Sequence, residues 1–229
     1  MNELIMICIL LIGIASIYLF NRILDIFGIK IVFIIFSIIS YIISFKYLAL
    51  ATFHINASVL TCCISYTCIS ILLEKNKQKD TTQLIRLNFV INVFISILLY
   101  MMMSYTQSIN DTIGINMTNI IQNNLRYLIV YPISTYISYE IFIYIYLKVK
   151  KLYDYLFISM VSTYMAAGLI NLIITYFISY LNLLKTDNII KLLLSTYMVE
   201  VIIIVIYSIT ITYLKSKKVS KWLIYIYSL

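Results

Sequence analysis

Seven apolar runs dominate the chain: residues 4–20, 29–45, 47–73, 87–105, 126–147, 156–181 and 189–214. A helix that crosses a bilayer needs about 20 mainly apolar residues at 1.5 Å rise each. Inside lipid the peptide groups have no water to bond to, so each run must satisfy them by coiling. The runs predict an all-α fold: a polytopic transmembrane helix bundle of seven spans, or six if one run fails to cross. Composition agrees, with 63% hydrophobic and 11% charged residues against roughly 25% charged in a soluble domain. No long polar stretch is present to fold separately, so residues 1–229 are expected to form a single integral membrane domain.

The first run is read as a span rather than a signal peptide. Glu3 precedes it where a basic region belongs, and no small-residue cleavage site follows. The third run is the least regular. His54 and Asn56 interrupt its first half, and the cleaner apolar stretch is 59–73. Residues 47–58 are expected to be a broken or re-entrant piece, which membrane depth tolerates only inside protein or along a cavity.

Orientation follows from the basic residues. With seven spans and the N-terminus outside, thirteen of the seventeen Lys and Arg fall on one side, all except Lys46, Arg126, Lys185 and Lys191. The positive-inside rule makes that side cytoplasmic and the location a multi-pass cell (inner) membrane. The same rule accounts for the formal net charge of +8 without invoking nucleic acid. The outer loop 106–125 is polar and nearly uncharged, and Trp222 with the tyrosines that follow suits an interfacial anchor.

Cys8, Cys62, Cys63 and Cys68 lie in apolar runs without a CxxC pair, and His54 is the only histidine. Neither a metal site nor a disulfide framework is expected, and no cofactor is implied.

An ionisable group within a span costs roughly 2.5–3.5 kcal/mol at the centre and calls for a reason. Two stand out, Glu140 in the fifth span and Glu200 in the seventh. Offsets of three, four, seven and eleven keep residues on one side of a helix. Tyr136, Glu140 and Tyr144 therefore share a face, as do Thr196, Tyr197, Glu200 and Tyr207; Tyr164, Gly168, Asn171 and Thr175 form a third stripe. The expectation is that these faces point inward and line a polar cavity near the midplane, where transporter sites are found. Glu200, Glu140, Asn171 and Tyr197 are then candidate substrate contacts, and a carboxyl that exchanges a proton would couple proton movement to transport. Ala166, Ala167 and Gly168 offer a smooth patch for close helix packing, and His54 with Asn56 is read as a satisfied interfacial pair.

The layout carries a further signal. The chain opens Met1-Asn2-Glu3-Leu4 into an apolar run, and its third segment ends in Glu74, followed directly by Lys75-Asn76-Lys77-Gln78-Lys79. Lys46 lies 28 residues before Glu74, and the stretch from Arg126 through Ser138 to Lys150-Lys151 aligns without gaps. In these respects the chain resembles the vitamin-uptake-transporter-like family, whose best-understood members are queuosine precursor transporters. That family has a Thr-Asp-x-x-(Ser/Thr)-Glu signature before its basic loop. Here Glu74 matches the last place and Ser70 stands where the signature has Asp. In the family's Ser-Gln-x-x-Asp motif of the fifth helix, Ser138 remains while Tyr139 and Phe142 occupy the other places. Gly168 takes the acidic place of a similar motif in the sixth, and Tyr207-Ser208-Ile209 stands for an Asp-Thr-Pro in the last.

The resemblance implies a divergent transporter of a 7-deazaguanine base or queuine, adds Ser70 and Ser138 to the candidate substrate contacts, and leaves Glu140 and Glu200 to replace lost aspartates. A carboxylate can accept adjacent N–H donors of a guanine-like edge in bidentate fashion, and tyrosines can stack on the flat ring. The partners implied are the lipid bilayer, a small-molecule substrate, a coupled proton and a second copy of the chain in a homodimer. Two alternatives stay open: a binding-only membrane subunit that hands substrate to a separate energising module through the loop 74–86, and a degenerate member with altered specificity. An enzyme is not expected, because Asp25, Asp80, Asp111, Asp154 and Asp187 all fall in loops or at helix ends and no P-loop is present.

Overall fold

The structure is a computed structural model that describes residues 2–50, 53–75, 77–102, 112–153, 155–181 and 183–216. Its elements run α1 (Asn2–Ile43), β1 (Tyr47–Leu50), β2 (Phe53–Asn56), α2 (Val59–Glu74), α3 (Gln78–Met102), α4 (Thr112–Asn123), α5 (Leu125–Leu152), α6 (Leu156–Tyr180) and α7 (Thr186–Ser216). The fold is a helical bundle, as the apolar runs require. Five of its helices, α1, α3, α5, α6 and α7, are long and apolar enough to cross a membrane. The chain is a membrane protein on that ground.

The 42 residues of α1 would measure about 63 Å as one rod, twice the hydrocarbon thickness. The helix instead breaks at Asp25, whose φ of 49° and ψ of −128° are non-helical. Gly28 sits so close to the Phe20 carbonyl that a Cβ would overlap it. Eight residues apart on a straight helix, those two positions would lie about 12 Å from each other. The chain has therefore turned back, and Asn2 at the start of α1 donates to the Ala49 carbonyl just past its end, at 2.6 Å. Both apolar runs of the first 45 residues are thus present as antiparallel halves. Lys75 fastens the turn, 2.7 Å from Asp25 and 3.0 Å from Asn21, and holds the exposed Asp25 carboxyl below the usual carboxylate range.

The third run divides. Residues 47–56 form an antiparallel hairpin with Tyr47 opposite Asn56, rather than part of a helix. Asn56 closes it: its Oδ1 accepts from the Ser58 N–H at 2.9 Å and the Ser58 hydroxyl at 2.7 Å, while its Nδ2 donates to the Ser44 carbonyl at 2.8 Å. Asn56 is buried and satisfied by these bonds, while His54 is exposed. Helix α2 follows, about 24 Å long. That is short for a span, but it is enclosed by its neighbours from Val59 to Ser70. Its hydroxyls bond back to their own helix, Thr67 to the Cys63 carbonyl at 2.8 Å and Ser70 to the Tyr66 carbonyl at 3.0 Å. Polar side chains therefore survive in a dry centre.

The polar outer segment is more ordered than a loop, since Thr112–Asn123 forms α4. Residues 103–111 and the Trp222 anchor lie outside the described residues. Tyrosine fills the interior as much as the interfaces. Tyr66 packs edge-on against Tyr139 and Tyr164, ring centres 4.9 and 4.7 Å away, contacts worth roughly 0.5–1.5 kcal/mol each beyond their area.

Candidate functional site

Glu200 lies in the middle of α7, 3% exposed. The elements around it bring polar side chains to one cleft: Asn56 and Ser58 from the end of the hairpin, Asn171 and Thr175 from α6, Thr196 one turn earlier on α7, and Tyr127, Tyr131 and Tyr176. The α6 stripe read from sequence is buried throughout, and Gly168 lies against the Glu200 carboxyl of α7. A Cβ at Gly168 would stand 3.2 Å from the Tyr164 ring and 3.4 Å from Glu200 Oε2. The missing side chain makes room for the carboxylate as well as for helix packing. Tyr164 continues to the Cys63 sulfur, 3.2 Å from its hydroxyl.

The lining is held by its own bonds. Thr175 donates toward Asn171 Oδ1 at 3.5 Å and lies 2.7 Å from the Ser134 hydroxyl; Tyr176 and Thr196 share a bond of 3.1 Å. Glu200 Oε2 is buried with no hydrogen-bond partner. No Lys, Arg or His lines the cleft. Its open space is about 10 Å³, room for about a single water molecule.

The cleft is covered on the hairpin side. Tyr47 of β1 bonds to Tyr180 of α6, and the Ser195 hydroxyl of α7 donates to the His54 carbonyl at 2.7 Å. Below these, Tyr127 and Tyr131 stack with ring centres 5.6 Å apart. At the opposite end a cavity of about 340 Å³ lies between α1, α2, α6 and α7, walled by Ile14, Ile17, Ile71 and Ile211 and edged by Asn21, Glu74 and Lys75. A constriction stands above it, where a Cβ on Gly13 would be 2.5 Å from both Ile64 and the Tyr207 hydroxyl. Tyr207 itself donates to the Leu10 carbonyl at 3.3 Å. Ion pairs close that end: Glu74 with Lys150 at 2.8 Å, supported by the Tyr146 hydroxyl at 2.9 Å, and Lys30 with Asp80 at 3.1 Å.

Of the six candidate contacts, only Glu200 and Asn171 meet in the cleft. Ser138 is buried elsewhere, donating to the Ala167 carbonyl at 2.7 Å and bonded to Tyr66. Ser70 is tied to its own helix. Tyr197 turns aside to donate to the Met165 carbonyl at 3.1 Å. Glu140 is half-buried on the flank of α5 that carries Tyr136, which packs on Phe89, and Tyr144, which is 60% exposed. That face is not directed at the cleft, although Glu140 Oε1 is buried without a partner. Sequence reasoning passed over Asn88 and Asn92, both buried on α3. Their four-residue spacing inside an apolar run was the available signal. Asn92 leaves both side-chain polar atoms unpartnered.

The bundle and its central carboxylate define a helical membrane protein with an enclosed polar centre. Comparison with family models, curated proteins and solved structures finds no match for the chain.

Proposed function

We propose that the chain is a secondary transporter of the cell (inner) membrane that carries a small polar solute through a seven-span bundle, N-terminus outside, with Glu200 at its centre. The observation that carries this reading is the unpartnered Glu200 oxygen, buried in an uncharged polar lining between a covered outer end and a 340 Å³ inner cavity. A buried carboxyl oxygen left without a partner is costly unless a proton or a guest satisfies it, and intramembrane acids mark solute or ion pathways. The hairpin and its tyrosines act as the outer gate, and the Glu74–Lys150 pair as the inner one. The closed cleft is the occluded state between two openings.

The layout resemblance supplies the solute class, a flat nucleobase-like molecule of the queuosine-precursor kind. The protein should therefore restore queuosine in the transfer RNA of cells that lack precursor uptake. Reconstituted vesicles should accumulate labelled queuine, and Glu200→Gln should lower the initial rate at least about tenfold, the equivalent of about 1.4 kcal/mol lost with the charge at the centre of the pathway. Equal uptake by the variant removes Glu200 from the pathway. Uptake indistinguishable from empty vesicles, with the chain inserted, removes this solute class.

A further inference from the structure

We propose that the Glu200 cleft is a site for one desolvated alkali cation, the coupling ion of the transport reaction, and that the organic solute is held apart from it. This deepens the transporter reading and rests on it for the word coupling, but not for the site.

Size decides first. The open space of about 10 Å³ admits one water-sized guest. A nucleobase does not fit without separating the helices. The 340 Å³ cavity below the Gly13–Ile64–Tyr207 constriction has room for a small organic molecule.

The donor set decides next. Every polar side chain in the cleft other than the Asn amides and the Cys62 thiol presents oxygen alone: Glu200, Thr196, Thr175, Ser58 and the tyrosine hydroxyls. Hard cations take oxygen ligands. Asn171 Oδ1 receives only one long bond, from Thr175 at 3.5 Å, and an amide oxygen has two lone pairs. Thr196 shares one bond with Tyr176 and keeps acceptor capacity. Glu200 Oε2, nine-tenths buried and unpartnered, supplies the charge.

Charge then sets the valence. One carboxylate with no basic side chain beside it neutralises a single positive charge. A divalent ion would leave a net charge at membrane depth, which is strongly disfavoured. Coupling ions in transporters are held near the midplane where helices and irregular backbone meet. Here α6, α7 and the end of the hairpin meet around Glu200.

The test is binding, read without transport. The full chain, purified in detergent, is unfolded thermally in sodium, potassium and choline chloride at constant ionic strength and pH. Sodium, potassium or both should raise the midpoint saturably, as a ligand that binds only the native state does, and choline, too large for the cleft, should not. Glu200→Gln should abolish the rise. Thr196→Val, a near-isosteric change, should raise the half-saturating cation concentration about tenfold, one oxygen ligand's worth, and serves if the Gln variant does not fold. An equal rise with choline, or one that survives Glu200→Gln, overturns the site. So does stabilisation by acidification alone, which would make the guest a proton on Glu200. No rise with either sodium or potassium overturns the site while solute uptake stands on its own assay, and missing queuine uptake leaves a cation effect in place.

Discussion

Pro132 shows how a single residue can break a helix's internal accounting and how its neighbours repair it. Proline has no N–H, so in α5 the Leu128 carbonyl four residues earlier loses its helical donor. In lipid such a group must find another partner. The Tyr41 hydroxyl lies 2.8 Å from Leu128 O and the Ser96 hydroxyl 3.0 Å from it, with the two hydroxyls 2.6 Å apart. The proline thus fixes where the second half of α1 and the end of α3 meet α5. Replacing Tyr41 by Phe and Ser96 by Ala together should lower stability by about 1–3 kcal/mol, the cost of an unsatisfied buried acceptor. Adding Pro132→Ala restores the N–H and should recover most of that loss. Denaturant unfolding in detergent reads both steps, and no recovery in the triple variant would mean that Leu128 O is not what the hydroxyls serve.

At the scale of elements, the long runs were legible because periodicity hardly matters to a helix that is apolar all round. What eluded the sequence were the elements whose form depends on neighbours. Residues 47–56 are apolar enough to be read into a span, yet they pair as a hairpin because Asn56 ties Ser58 and Ser44 across its base. Helix α2 is too short to span alone and is legible only once its enclosure is known. The site was legible in part for the same reason. Glu200 and Asn171 could be placed on faces, but the turning away of Tyr197 toward the Met165 carbonyl and the lateral position of Glu140 depend on which helix lies beside which. The turn in α1 is the element most open to test. Gly28→Ala would drive a methyl into the Phe20 backbone carbonyl, which has no flexible end to yield, and should destabilise the fold by about 1–3 kcal/mol as an overpacked contact does. Gly168→Ala meets the flexible margins of Tyr164 and Glu200 at 3.2–3.4 Å and should cost less. If the two variants unfold at the same denaturant concentration, the close reversal of α1 is not a constraint.

The whole molecule sorts its charges to one end, and contacts show which ends lie together. Asn21, Asp25 and Lys75 are joined, as are Lys30 with Asp80 and Glu74 with Lys150. The opposite end gathers Asn2 with Ala49, Arg126 with the Leu181 carbonyl at 2.8 Å, and Ser195 with His54. Because α1 doubles back and α2 lies within the bundle, this arrangement puts the start of α7 on the same side as the start of α1, and the basic turns on the other. The positive-inside rule then predicts a cytoplasmic basic end. Single cysteines decide it in a background freed of Cys8, Cys62, Cys63 and Cys68. Of these Cys8 is exposed and the others buried, so only Cys8 would compete for reagent. Lys191→Cys, on the exposed surface of α7 next to His54, should react with a membrane-impermeant maleimide in intact cells. Lys79→Cys, exposed in the first turn of α3, should react only after the membrane is permeabilised. Labelling of both in intact cells would mean that α3, α5 and α6, which lie between the two positions, do not make an odd number of crossings. The reversed pattern would put Glu74 and Lys75 outside, where the cavity they border would face the medium rather than the cytoplasm.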